Sequence, residues 1–171
     1  MIIKKDTLLD FESVLRNVDA NAIPALANLV VLPNETLFAT DRYTMLANGL
    51  VQEDQHPIAY IPYSLFPLIR KQANVYVDTD NNAVIVGEQT LTLPDINSVN
   101  YPLGAVNLMS ELQTTTETKP INDNQGIKLG YALPVLATLW KRWKKFPLEA
   151  VQIKRNVWSC ETGDYTLIFI A

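Results

Sequence analysis

The sequence repeats one order of predicted elements three times: a strand, a helix, and then two or three strands. The units span about residues 2–51, 58–100 and 126–171. Repetition constrains the fold strongly, because one such unit cannot bury its apolar face alone and must pack against its neighbours. The pattern predicts an α+β protein.

Each unit carries one predicted helix. In the first unit, Asp6 or Thr7 is expected to cap a helix with apolar residues at helical spacing. Those apolar residues are Leu8, Phe11, Leu15 and Val18. In the second unit, Ser64 is expected to cap a short helix that extends through Gln72. In the third, the pattern predicts a helix from about residue 132 to residue 146.

A polar stretch separates the second unit from the third. Residues 111–125 are rich in Thr and Asn, which is typical of an irregular connection. We therefore predict a domain of two units over residues 1–105, a linker over 106–125, and a third half-unit over 126–171.

Composition and residue content argue against an enzyme. Hydrophobic residues make up 48% of the chain and charged residues 19%, which is typical of an ordered globular protein. The one histidine, His56, precedes Pro57 in a polar loop, and no Cys/His cluster suggests zinc. We expect no cofactor and no metal. A small enzyme that uses scattered carboxylates is the alternative that this reasoning leaves open.

Two further features have simple structural interpretations. Asp78, Asp80 and Asn82 resemble the start of a calcium loop, but Ala83 replaces the expected glycine and Gln89 the final carboxylate. A hairpin turn therefore explains this segment better. The single cysteine, which lies in a predicted strand, is interpreted as a small buried residue. It is Cys160.

The chain is expected to be cytoplasmic. Its first residues lack the basic and then apolar order of a signal peptide, and no apolar run approaches the roughly 20 residues that a membrane span needs.

The third predicted helix has a basic face. At the helical repeat its cations fall within roughly 160°, opposite the apolar and tryptophan side chains. These cations are Lys141, Arg142, Lys144 and Lys145. Together with Arg70 and Lys71 of the second helix, they are six of the fourteen Lys and Arg residues in the chain. The rest of the chain then has eight basic residues and all eighteen acidic residues. The two helices predict a phosphate-facing surface; a solvated face that complements helix C-termini is the alternative.

The segment from Ala39 to Met45 resembles the Ala-Thr-Asp motif of bacterial DNA sliding clamps, the polymerase III beta subunits. The elements that follow are in a similar order: a strand ending in Ile61-Pro62, a helix, the hairpin at residues 78–82, and Tyr101-Pro102. The closing strand at residues 165–170 is also similar. The resemblance is strongest over residues 29–103.

The resemblance implies β-α-β-β-β repeats with antiparallel sheets and with amphipathic helices on one face, lining duplex DNA. It implies that the cations on phosphate are Arg70, Lys71, Lys141, Arg142, Lys144 and Lys145. It also implies a pocket for a polymerase or other replication protein, formed by Thr40, Arg42, Tyr43, Thr44, Met45, Ile168 and Ile170. Ordinary strand packing is the alternative role for Met45, Ile168 and Ile170.

The sequence also departs from the clamp pattern. A bacterial clamp subunit has about six units, whereas this chain has about three. Thr44 replaces the arginine that follows the motif, and Asp10 and Glu12 suit a DNA-lining helix poorly. Two functions are therefore predicted. One is a homo-oligomeric clamp-like protein on duplex DNA, and the other is a clamp-fold module that engages a replication protein without encircling DNA.

Overall fold

The computed structural model describes residues 1–115, 119–120, 135, 137–139, 141 and 150–170. The first unit contains β1 (Ile2–Lys4), α1 (Lys5–Leu15), β2 (Asn28–Val31), β3 (Leu37–Thr40) and β4 (Thr44–Ala47). The second contains β5 (Ala59–Pro62), α2 (Phe66–Ile69), β6 (Asn74–Asp78), β7 (Ala83–Val86) and β8 (Gln89–Thr92). There follow α3 (Leu103–Gln113), β9 (Lys119–Pro120), β10 (Ala150–Lys154), β11 (Val157–Thr162) and β12 (Tyr165–Ile170).

These strands form two antiparallel sheets, as predicted. The four-stranded sheet has the order β1-β6-β7-β8, and the eight-stranded sheet has the order β5-β2-β3-β4-β12-β11-β10-β9. The first two units exchange their first strands. Strand β1 of the first unit pairs with β6 of the second, and β5 of the second unit pairs with β2 of the first. The last strand of the third unit, β12, pairs with the last strand of the first unit, β4. The units are therefore joined by strand pairing.

The larger of two apolar cores lies on one face of the eight-stranded sheet. Leu8, Phe11 and Leu15 of α1 are fully buried there, as their helical spacing predicted. The inner face of the four-stranded sheet, the buried residues of α2, and Val135 and Leu139 from the helical residues of the third unit belong to the same core. The helices of all three units therefore pack on one side of the eight-stranded sheet.

Helix α3 lies on the opposite face of that sheet and was not predicted. Val106, Met109 and Leu112 pack there in the second core. The Gln113 side-chain amide donates to Gly49 O at 3.0 Å and accepts from Val51 N at 2.8 Å. Residues 106–113 of the linker predicted over 106–125 are thus helical, although the division into domains stays a prediction.

The second helix is much shorter than predicted. It begins at Phe66 and ends at Ile69, and Ser64 forms no side-chain cap. After Ile69 the backbone bonds tighten to three-residue turns, since Lys71 N donates to Leu68 O. Arg70 and Lys71 therefore lie beyond the helix.

The first predicted helix differs less, and the described residues of the third, which are 135, 137–139 and 141, are helical. Helix α1 begins at Lys5 without a side-chain cap, so Asp6 lies in its first turn, where a carboxylate suits the helix dipole. The predicted strand near residues 127–129 lies outside the described residues. No helix in the described part of the chain is long and apolar enough to cross a membrane.

Candidate partner-binding surface and cationic residues

The turn between β3 and β4 is held by the Thr-Asp pair. Thr40 Oγ1 donates to Thr44 O at 2.7 Å. Asp41 Oδ1 accepts from the backbone N–H groups of Tyr43, at 2.9 Å, and Thr44, at 2.7 Å. Such bonds from Thr and Asp side chains to the backbone stabilise tight turns. The buried Thr40 and Asp41 side chains thus have a structural role in shaping the motif.

This turn leaves two side chains exposed at its tip. Arg42 has a φ of 85°, a left-handed conformation that costs a non-glycine residue roughly 1–3 kcal/mol. The hydrogen bonds of Thr40 and Asp41 offset that cost, and Thr40 Oγ1 also accepts from Arg42 N at 3.1 Å. Arg42 is exposed, and Tyr43 is 41% exposed.

The tip of the turn lies beside the end of β12. Ile170 N donates to Tyr43 O at 3.1 Å, and the Ile170 side chain is 52% exposed. On its other side Ile170 pairs with the half-buried Val157 of β11. Arg42, Tyr43 and Ile170 therefore form one exposed surface, which we call the turn surface.

The remaining predicted pocket residues are buried. Met45 and Ile168 are opposite each other on β4 and β12 and belong to the same core as Val106 and Met109 of α3. Thr44 is also buried. The Met45 and Ile168 side chains thus pack in the core between the eight-stranded sheet and α3. Their contact with a partner peptide stays a prediction.

Arg70 forms an ion pair with a buried carboxylate. Its Nη1 lies 2.5 Å from Glu12 Oε1, and the Glu12 side chain is 6% exposed against 41% for Arg70. Tyr63 OH donates to the same oxygen at 3.3 Å, and Arg16 Nη2 lies 3.9 Å from Glu12 Oε2. Burial raises the pKa of Tyr63, and the Glu12 charge raises it further. Arg70 thus neutralises Glu12.

The Glu12 pair was missed from the sequence, but a signal for it existed. On the helical repeat Glu12 lies roughly 40° from Leu8, at the edge of the apolar stripe of α1. A carboxylate in that position needs a cation, because an unpaired buried charge is costly.

The other predicted cations fall into two groups. Lys71 and the helical Lys141 are exposed. Arg142, Lys144 and Lys145 lie outside the described residues.

Two further predicted sites have structural explanations. Asp78 accepts from the side-chain and backbone nitrogens of Asn81, at 2.8 Å and 3.2 Å, in the β6–β7 turn. These bonds lower the pKa of Asp78 and confirm the hairpin turn. Cys160 is buried in β11, as predicted, and burial raises the pKa of its thiol to about 11.

One open cleft of about 430 Å³ lies between the end of α3 and strands β10–β12. Its described lining residues include Leu112, Gln113, Ile153, Thr166 and one carboxylate, Glu161. In the described part of the chain, no group of three or more His, Cys, Asp or Glu side chains could hold a metal ion.

This arrangement of two antiparallel sheets and few helices is similar to the fold of solved DNA polymerase III beta sliding clamps. The chain has 15% identity and a TM-score of 0.58 to the Caulobacter crescentus pol III beta structure, covering 99% of this chain and 64% of that one. With DNA polymerase III subunit beta from Pseudomonas aeruginosa the chain has 13% identity and a TM-score of 0.55, and the match covers 99% of this chain and 64% of that one. With the same subunit from Borrelia burgdorferi, in complex with a natural product, the identity is 11% and the TM-score 0.56, and the match covers 99% of this chain and 63% of that one.

The chain thus has the sliding-clamp fold and spans less than two thirds of these solved chains. No protein-family model and no curated protein matches its sequence.

Proposed function

We propose that this protein is a clamp-like replication accessory protein that associates with duplex DNA non-specifically and tethers a polymerase or a related factor. The observation that carries the proposal is the likeness to DNA polymerase III beta structures over 99% of the chain. The packing of the unit helices on one side of the eight-stranded sheet supports it, because cations on that side would share one surface.

The DNA role depends on cations that contact phosphate. Lys71 and Lys141 are exposed and have the charge for this role. Arg142, Lys144 and Lys145 share a predicted helix with Lys141, and their contribution is a proposal from the sequence. Binding through phosphates reads no sequence and weakens steeply with salt, because condensed counterions are released.

Charge reversal tests the DNA role. We expect Lys141→Glu combined with Lys145→Glu to weaken association with a fluorescent duplex at least about tenfold in low salt, measured by anisotropy. The matched control is Lys154→Glu with Arg155→Glu, which changes the charge equally. Lys154 pairs with Glu111 of α3, on the opposite side of the sheet. Equal binding by the first variant and the wild type would exclude the DNA role.

The tethering role is proposed for the turn surface. Two exposed apolar side chains beside one cation suit a short peptide with an apolar anchor, since aromatic and Arg residues dominate binding energies at interfaces. Tyr43 and Ile170 are adjacent through a backbone hydrogen bond, so one anchor could contact both.

A matched pair of double variants tests the tethering role. Tyr43→Ala with Ile170→Ala should weaken binding of synthetic polymerase-derived peptides at least about tenfold, measured by calorimetry. Tyr76→Ala with Ile2→Ala is the control, because Ile2 and Tyr76 form an exposed, directly opposed pair on the other sheet. An equal loss in both double variants would argue against the turn surface.

The second candidate is a clamp-fold module that binds a replication protein without encircling DNA. The Arg70–Glu12 ion pair favours it, because Arg70 is already neutralised and α2 is too short to present a cationic face. This candidate predicts peptide binding at the turn surface together with duplex association that is equally weak in the wild type and in the Lys141/Lys145 variant.

A further inference from the structure

The sequence contains a single Asn-Gly dipeptide, and it lies directly after β4. It consists of Asn48 and Gly49. Asparagine is a thermolabile residue, because its side-chain amide is lost when the next backbone nitrogen attacks it. A following glycine favours this attack, since it has no side chain to block the approach and its backbone is flexible. By local chemistry this is therefore the most reactive asparagine in the chain.

The fold explains why both residues of the dipeptide stand here. Asn48 is half-buried, its Oδ1 accepts from Leu37 N at 2.7 Å, and its N–H donates to Leu37 O at 3.3 Å. The side chain thus takes the place of a backbone carbonyl and extends the pairing of β3 and β4. A Cβ added at Gly49 would lie 2.9 Å from Oγ1 of the buried Thr36, so this close approach favours glycine.

The dipeptide is also tied to helix α3. Gly49 O accepts from Gln113 Nε2 at 3.0 Å, and Val51 N donates to Gln113 Oε1 at 2.8 Å. Attack on Asn48 Cγ needs a rotation of the backbone between the two residues of the dipeptide. The hydrogen bonds on either side oppose that rotation, and an intramolecular reaction depends on the alignment of the reacting atoms. The folded chain therefore hinders the reaction while α3 stays in place.

We propose that Asn48 is a latent deamidation site, which the fold keeps slow and which opening of the α3 contact releases. In this reaction Gly49 N forms a bond to Asn48 Cγ, and the bond from Cγ to Nδ2 breaks. Ammonia leaves with Nδ2 and the proton of the Gly49 N–H, and a cyclic imide remains. Water then opens the imide at either carbonyl, giving aspartate or isoaspartate. The site is independent of the proposed DNA and peptide binding.

Isoaspartate at this position changes the local packing. The backbone then runs through the former side chain and is longer by one methylene group. Gly49 cannot keep both its place against Thr36 and its bond to Gln113, so the end of α3 loses that hydrogen bond. Met45 and Ile168 share the core that α3 covers. The modification therefore weakens the packing of α3 over these two strand residues.

Deamidation rates in the full chain test the proposal. The wild type is incubated at mildly alkaline pH with and without urea, and peptide mapping separates asparagine, aspartate and isoaspartate. Asn48 should react at least about tenfold more slowly in the native protein, because the reaction requires local opening. The exposed Asn97, which precedes Ser98, is the reference in the same samples, and its rate should change less than about threefold. Asn48 that reacts as fast in the native protein as in urea, or not at all in urea, would overturn the proposal.

A variant of α3 tests the link to this helix. Gln113→Ala removes both bonds to the segment after β4 and should speed native deamidation of Asn48 about threefold or more. Lys154→Ala is the control and should react like the wild type, because it removes only an exposed ion pair of α3. Equal rates in the wild type and Gln113→Ala would overturn the role of α3. If that variant does not fold, Gln113→Glu replaces it, with the same two outcomes, since it loses the donor to Gly49 O and keeps an acceptor for Val51 N.

Discussion

Helices α1 and α2 follow the first strand of their units, yet they differ in length and in burial. Helix α1 has eleven residues and α2 has four. From Asp10 to its end α1 is buried on every side, whereas only Phe66 and Ile69 of α2 are buried. The first two units thus share the first strand and buried apolar residues in the helix that follows it. They differ in the length of that helix and in how much of its surface is buried.

The two helices are joined by one ion pair. Glu12 of α1 is almost fully buried, and Arg70, just after α2, supplies its nearest cation. Removing one partner of a buried pair leaves an uncompensated charge, so the loss exceeds the net contribution of the pair. The comparison therefore shows that Arg70 joins two units, while its contact with phosphate stays a prediction.

The largest expected effect tests whether the stability of a unit depends on the burial of its helix residues or on the length of the helix. Phe11→Ala and Phe66→Ala each remove a fully buried ring, and each should cost about 3–5 kcal/mol in free energy of unfolding. Urea denaturation measures both. A cost for Phe66→Ala below half of that for Phe11→Ala would show that the short helix anchors its unit more weakly.

A smaller effect tests the junction between the helices. Arg70→Ala should cost about 1–3 kcal/mol of stability, because it removes a charged hydrogen bond from Glu12. The exposed neighbour Lys71 is the control, and Lys71→Ala should change stability by about 0.5 kcal/mol or less. Equal losses in the two variants, measured by thermal or urea unfolding, would contradict the role assigned to Arg70.

The smallest effect concerns Tyr63 and pH. The pKa of Tyr63 is raised in the folded state, first by burial and then by Glu12. A raised pKa contributes stability that is fully present below the unfolded value, about 10, and is lost as pH rises through the folded value. Tyr63→Phe should cost about 0.5 kcal/mol at neutral pH, since the hydrogen bond to Glu12 is long.

Above pH 10 the difference in free energy of unfolding between Tyr63→Phe and the wild type, measured by urea denaturation at several pH values, should shrink. The pKa values of Tyr60 and Tyr101 are also raised by burial, and both proteins share their contributions. A constant difference across this pH range would show that Tyr63 does not titrate differently in the two states.

Much of the fold was predictable because its signals are local. The apolar spacing of α1, the turn at residues 78–82 and the strands on either side of it depend on neighbours in sequence. Helix α3 was missed because its apolar residues do not keep to one face: the exposed Leu103 and Leu108 interrupt the stripe of buried residues, which are Val106, Met109 and Leu112. Its packing against the eight-stranded sheet stabilises it, and that contact is distant in sequence.

The candidate site was predictable as a motif but not as a surface. Thr40 and Asp41 lie at the start of a tight turn, where their side chains bond the backbone, and the motif had not predicted this turn. The division between exposed Tyr43 and Ile170 and buried Met45 and Ile168 depends on the strand pairing and on α3. Neither of these could be read from the motif.

Residue order by itself determined where strands, turns and the first helix begin, because backbone preferences and apolar periodicity act over a few residues. Only the tertiary structure decided that the first strands are exchanged, that β12 joins β4, and that Arg70 pairs with Glu12. The physical reason is that any strand edge offers the same backbone donors and acceptors, so its partner is selected by the packing of side chains far apart in sequence.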